Sequence, residues 1–227
     1  MIECNETQLM AARAGRVTDA MRQVADAERV PVDPLREGIA RGRIVIPANP
    51  AHQSLVPVGI GEGLRTKVNV NLGRSQTSSG LDAEIEKVRI SLQYGADAVM
   101  DLSTGPDIDR VRLAVIAACT APIGTVPIYQ AVDPVEDVAS LTADDFLGMM
   151  EHQAAQGVDF MTLHAGILFD HLRLARPRLT GIVSRGGALM ACWMLRNHAE
   201  NPFYERFDDV LAIAARHDVT LSLGDGL

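Results

Sequence analysis

Three segments of this chain repeat one pattern: a helical stretch ends, an aspartate follows, and an apolar run begins. The junctions are Gly95-Ala96-Asp97, Gly157-Val158-Asp159 and Arg216-His217-Asp218. Their aspartates fall about two βα units apart, at roughly 30 residues per unit. The run after the first junction, Ala98-Val99-Met100-Asp101-Leu102-Ser103-Thr104-Gly105, turns polar at its end. A buried parallel strand has this order, apolar through its middle on both faces and presenting polar side chains at its C-terminal end. Repeated βα units with such strand ends predict an α/β fold, a (β/α)₈ TIM barrel rather than an open doubly wound sheet.

The rest of the chain fits around these junctions. Strands are predicted at 67–73, within 96–105, and at 123–130, 159–164, 180–187 and 218–226, six where a complete barrel needs eight. Helices are predicted at 81–94, 108–118, from Leu141 through Gln156, from about Ile167, through Asn197, and up to His217. The barrel is therefore expected to be incomplete, with about six βα units over 65–227. Residues 1–64 read as a short N-terminal segment of helices and extended pieces. There Thr18 before Asp19 has the chemistry of a helix cap, and Asp33-Pro34 reads as a cap followed by a first-turn proline. Ile44-Val45-Ile46-Pro47 and Val56-Pro57-Val58 read as short extended pieces suited to edges. Gly224-Asp225-Gly226-Leu227 resembles a strand-end loop, so a chain cut inside a barrel is expected.

Composition narrows the function classes. With 227 residues, 47% hydrophobic, 22% charged and only 4% aromatic, the chain suits helices packed on a parallel sheet. A net charge of −8 argues against a nucleic-acid surface. It leaves a phosphorylated small molecule open, because local arginines and backbone amides decide that. There is no apolar run of about eighteen residues to span a membrane, and no secretory signal at Met1–Glu6, so a cytoplasmic protein is expected. Cys4, Cys119 and Cys192 are widely spaced, form no CxxC pair, and read as buried or incidental thiols.

The polar residues at the predicted strand ends form the candidate site: Asn71, Met100 with Asp101 and Ser103, Tyr129 with Gln130, His164, Ser184 with Arg185, and Asp225. Barrel enzymes place their sites on this rim. Ser184-Arg185-Gly186-Gly187 before a helix suits a small anion, with glycines for close approach, free amides and a charged fork. An ordinary glycine turn with a solvated arginine is the plainer reading. His164 suits a general acid/base or a partner to a ring nitrogen, or else a structural role in the core. No zinc spacing is present: His164 and His171 are seven apart, and His52, His152, His198 and His217 have no partnered ligands in the sequence. No metal site is expected in this chain. Gly59-Ile60-Gly61-Glu62-Gly63 neither follows a convincing strand nor opens a helix, so it is no dinucleotide fingerprint.

Several of these segments resemble the radical S-adenosylmethionine family of thiamine biosynthesis called ThiC. They are Arg65–Gly73, Met100–Gly105, Gly124–Gln130, His164-Ala165-Gly166, Ile182–Gly187 and Ser222–Leu227, in order along the chain. The resemblance implies a (β/α)₈ barrel that rearranges 5-aminoimidazole ribotide into 4-amino-5-hydroxymethyl-2-methylpyrimidine phosphate. It implies substrate contacts at Asn71, Met100, Tyr129, His164, Ser184, Arg185, Gly186, Asp225, Gly226 and Leu227. It also implies S-adenosyl-L-methionine, a [4Fe-4S] cluster, zinc and a homodimer. The CxxCxxxxC cluster motif and the zinc-binding histidines of the family do not occur in this sequence. The chain as given is expected to hold part of the substrate site and to be inactive alone.

Two alternatives stand beside this reading. One is the paralogue that turns the same ribotide into 5-hydroxybenzimidazole. The wording of Asp101–Gly105 and Ile128–Ala131 is closer to the thiamine branch. The other is a non-catalytic fragment that binds a phosphorylated ligand. A Schiff-base aldolase is discounted, since Lys67 and Lys87 are the only lysines and neither lies at the predicted rim.

Overall fold

The computed structural model describes residues 6–74, 80–105, 107–224 and 226–227. Its N-terminal part begins with three short helices, α1 (Gln8–Arg13), α2 (Asp19–Glu28) and α3 (Val32–Ala40). Thr7 and Thr18 cap the first two, their hydroxyls accepting from the amides of Met10 and Met21. A threonine here satisfies an amide that the first turn leaves without a partner. Helix α3 starts earlier than Asp33-Pro34 suggested, with Pro31 at the cap position. Pro34 still lies in the first turn, where its missing amide proton breaks no hydrogen bond. Met21, Val24, Leu35, Ile39, Ile44 and Ile46 bury themselves in a small core of their own. β1 (Ile44–Val45) and β2 (Ile60–Gly61) pair antiparallel. The expected extended piece at 56–58 thus lies outside the ladder, where Pro57 cannot interrupt it.

The main body is a parallel sheet of β3 (Asn69–Leu72), β4 (Ala98–Asp101), β5 (Ile123–Thr125), β6 (Phe160–Leu163) and β7 (Thr220–Leu223), in sequence order. The connections carry α4 (Leu81–Gln93), α5 (Ile108–Ala118), α6 (Pro127–Ala131), α7 (Ala143–Ala155), α8 (Phe169–Ala175), α9 (Arg185–Asn197), α10 (Pro202–Glu205) and α11 (Phe207–His217). Val99, Ile123 and Met161 on one face of the sheet are fully buried, in a core with Val88, Val115, Phe146 and Met150 from the helices. The opposite register row runs Asn71, Met100, Gly124, Phe160 and Thr220. Gly124 is required there, because a side chain at 124 would collide with the Phe160 ring.

The α/β class and the parallel order agree with the sequence. Two strand assignments do not. Residues 181–184 form no strand: β7 pairs directly with β6, and α9 starts at Arg185. Val183 is exposed, so this short apolar run gains nothing from a sheet position, while Ser184 accepts from the Gly187 amide and starts the helix. The third strand stops at Thr125 rather than continuing to Gln130. Pro127 has no amide for a ladder and a φ already set for a helix, so the chain turns into α6. The sheet among the described residues therefore has five strands, with β3 and β7 at its edges rather than paired to each other.

The repeated aspartates fasten the starts of neighbouring segments. Asp97 accepts from the Val68 amide at 2.8 Å, just before β3, and from Arg65 Nη1 at 3.0 Å. Asp159 accepts from the Ile123 amide at 2.7 Å, at the start of β5, and from the Asn49 amide at 2.9 Å. Asp218 accepts from the Gln8 amide at 2.9 Å, at the start of α1. The pattern read from sequence as a strand signal is thus a staple on the N-terminal side of the sheet, away from the candidate site.

Candidate functional site

At the opposite, C-terminal side, the ends of β3 and β4 lock together. The Asp101 carboxylate accepts from the Ser103 amide at 2.9 Å, and Ser103 Oγ accepts from the Arg74 amide at 3.1 Å. Gly73, at φ +156°, lies so close to the backbone of Leu102 and Ser103 that no side chain fits. Asp101 and Ser103 are buried and occupied in this lock, whereas Asn71 is exposed and Met100 half-buried beside it in register. Asn71 Oδ1 accepts from Asn69 Nδ2 at 2.9 Å, which orients its amide.

Tyr129 is not at a strand end but on α6, half-buried. The guanidinium of Arg185, at the first residue of α9, stacks over its ring with Cζ 4.6 Å from the centroid. A cation held against an aromatic face keeps its edge N–H groups available to an anion. Ser184 caps α9 by accepting from the Gly187 amide at 3.1 Å, so that amide is already engaged within the helix N-terminus.

His164 lies one residue past β6 and is buried. Its ring lies flat against Gly186, where any side chain would strike it, and Nε2 would stand 3.4 Å from a carbon added at Gly224. Gly187 abuts the Gly226 carbonyl, and Gly226 rests on Ile167. Three segments distant in sequence, the end of β6, the start of α9 and the end of β7, therefore close around one imidazole. Leu227 is exposed beyond them. Asp225 lies outside the described residues.

Of the candidates read from sequence, the structure joins Asn71 with Met100, Tyr129 with Arg185, and His164 with Gly186, while Gly226 meets Gly187 and Ile167. All lie at the C-terminal ends of the strands or at the helix starts that follow. Gln130, beside Tyr129, belongs to a polar network that the sequence did not reveal. Its Oε1 accepts from Arg112 Nη2 at 2.7 Å and from Gln153 Nε2 at 2.8 Å, and its Nε2 donates to Asp109 at 2.8 Å. Burial pulls the Arg112 pKa below the usual guanidinium value, and the carboxylates of Asp101 and Asp109 act against that fall. The network ties α5, α6 and α7 together through the residue that follows Tyr129 on α6.

Asn201 was also missed. Asn201-Pro202 is a local cap signature, and Asn201 does cap α10, but its amide reaches much further, to the carbonyls of His164 and Ile167. His52, which has no partner in the sequence pattern, pairs with Asp159 on the far side of the sheet at 2.7 Å.

Among the described residues, no three His, Cys, Asp or Glu side chains gather into a set that could hold a metal ion. Cys119 is buried, and burial pushes its thiol up to about 11; Cys192 is exposed on α9. These thiols do not form a set that fits an iron–sulfur cluster, and the described histidines form none that fits zinc. No helix among the described residues is long and apolar enough to cross a membrane.

A five-stranded parallel sheet with helices in its connections, whose strand ends and following helix starts gather neutral polar groups, one arginine and one glycine-enclosed histidine, is an α/β arrangement consistent with part of a TIM-like barrel. Residues 7–227 match the model of the Radical SAM ThiC family, and the chain belongs to that family. It is 53% identical over 221 residues to the phosphomethylpyrimidine synthase of Natronomonas pharaonis, which covers 97% of this chain and 46% of that relative. The chain thus spans about half the length of the curated relative it matches.

Proposed function

We propose that this chain forms the substrate-holding part of a phosphomethylpyrimidine synthase, which converts 5-aminoimidazole ribotide to 4-amino-5-hydroxymethyl-2-methylpyrimidine phosphate for thiamine. The observation that carries the reading is the closure of β6, α9 and β7 around His164. It brings into one place three segments that share the family's sequence wording, two at the ends of paired strands and one at the start of a helix.

In this reading the imidazole and ribose of the substrate contact Asn71, Met100, Tyr129 and His164, all able to grip a neutral heterocycle without a buried charge. The phosphate sits at the start of α9, where Arg185 is exposed and pre-oriented by Tyr129. Gly226 and Leu227 complete the ligand face, and the family resemblance adds Asp225 as a substrate contact. In the proposed whole enzyme, S-adenosyl-L-methionine and an iron–sulfur cluster supply the radical that starts the rearrangement. The described residues of this chain bind and orient the ribotide.

The test is calorimetric titration of 5-aminoimidazole ribotide into the chain and into its Arg185→Ala variant. The expected result is a loss of roughly tenfold or more in affinity, the usual scale for a charge-assisted phosphate contact. Unchanged affinity would remove Arg185 from the phosphate site. No binding to the unaltered chain would remove the substrate-holding role.

A further inference from the structure

We infer that Asn201 is the positioning residue of this site, holding His164 and the Gly226 strand end in register; the inference rests on the proposed ribotide-binding role. Asn201 is fully buried and lies between α9 and α10, outside the motifs that carry the family resemblance. Both protons of its side-chain amide are used. Nδ2 donates to the His164 carbonyl at 2.7 Å and to the Ile167 carbonyl at 2.9 Å. Its Oδ1 accepts from the Phe203 amide at 3.0 Å, so its three side-chain hydrogen bonds all go to backbone groups. Glu200 adds a second tie, its carboxylate accepting from the Phe169 amide at 2.9 Å and from the Asn201 amide at 2.8 Å.

The two bonds from Nδ2 act on the two halves of the candidate site. Holding the His164 carbonyl sets the backbone from which the imidazole projects, and Gly186 lies directly against that imidazole, so a shift of the backbone moves the ring against α9. Holding the Ile167 carbonyl sets the residue on which Gly226 rests, with Cβ of Ile167 2.7 Å from where a carbon on Gly226 would stand. A residue whose role was only to cap α10 would need its oxygen and not its two donors. The segment 164–167 has no strand or helix ladder of its own, so side-chain bonds decide its path.

Asn201→Ser keeps an oxygen for the Phe203 amide but has one proton, on a shorter stem, in place of two; Asn201→Asp keeps the shape and the cap but faces two carbonyls with no proton to give. The full chain is labelled with ¹⁵N, the His164 ring signals are identified with His164→Gln, and three quantities are compared: unfolding midpoint, His164 ring shifts with their titration, and ribotide affinity. The expected result in either folded variant is a displaced His164 signal and titration, unmoved His52 signals, and ribotide binding weaker by roughly tenfold, the scale of a group held slightly out of place. A lowered unfolding midpoint with His164 shifts and titration as in the unaltered chain would overturn the inference and leave Asn201 a cap. If the unaltered chain binds no ribotide while the variants still displace His164, the positioning role stands and the proposed ligand falls.

Discussion

His52 Nδ1 stands 2.7 Å from the Asp159 carboxylate, both side chains fully buried, joining the N-terminal segment to the start of β6. The other ring nitrogen is 3.0 Å from the Cys119 carbonyl, so the imidazole sits between two acceptors. Both nitrogens can donate only when the ring is protonated. Burial by itself favours the neutral ring, but the carboxylate and the carbonyl override it and raise the His52 pKa.

The pair makes the attachment of the N-terminal segment sensitive to pH. A histidine whose folded pKa is raised contributes stability that is whole below its unfolded value, about 6.5, and is lost as pH rises through the folded value. His52→Gln is therefore expected to lower the unfolding midpoint most at about pH 6 and less at about pH 9. Replacing His52 by Ala, which leaves Asp159 buried without its partner, should cost about 3–5 kcal/mol in denaturant titrations. A pH-independent gap between the unaltered chain and His52→Gln would show that the ring stays neutral.

Asp218 should be a destabilising carboxylate. Burial raises its pKa from 3.8 to about 6, and it caps the C-terminal end of α11 in the left-handed region at φ 50°. A negative charge there opposes the helix dipole. A raised acid pKa means that folding is favoured while the group is protonated, and that this advantage is lost as pH rises through about 6. Asn is neutral, tolerates φ > 0, and keeps an oxygen for the Gln8 amide. Asp218→Asn is expected to raise stability by about 1–3 kcal/mol at pH 8 and by little at pH 4, measured by thermal unfolding.

Gly186→Ala separates stability from binding. Alanine is the better helix former by about 1 kcal/mol, yet its methyl would enter the space of the His164 ring. The expected outcome is a folded protein with the His164 ring displaced and ribotide affinity reduced by roughly tenfold or more, by calorimetry. Unreduced affinity would place the ligand elsewhere on the rim.

Arg112→Met tests the network around Gln130. It removes the buried donor to Asp109, Gln130 and Gln156 while keeping most of the side-chain volume. Stability is expected to fall by about 1–3 kcal/mol, since three half-buried acceptors lose a charged donor. Tyr129, on the same short helix as Gln130, is expected to show altered fluorescence.

Much of the fold is legible because its signals are local. Thr142 with Asp145 forms a capping box that starts α7, as the polar residues after Leu141 suggest. The apolar runs at 98–101 and 160–163 become strands buried in the sheet, and 220–223 becomes a more exposed edge strand held by its pairing with β6. At 182–184 the same kind of run is too short and too exposed to hold a strand. At Tyr129 the decisive signal was present: Val126-Pro127 stops a ladder and starts a helix. The candidate site was legible as a set of residue types at segment ends, but its grouping into pairs was not.

What the amino-acid sequence determined by itself is where helices and strands begin, which face of each is apolar, and which polar residues lie at their ends. Caps, prolines, glycines and periodicity act within a few residues, so they can be read in order. The tertiary structure alone decided that His52 meets Asp159, that Arg185 stacks on Tyr129, and that Asn201 holds the turn of His164. Those contacts join residues 107, 56 and 37 positions apart. Their partners are chosen by the path of the whole chain around the sheet, which no local pattern encodes.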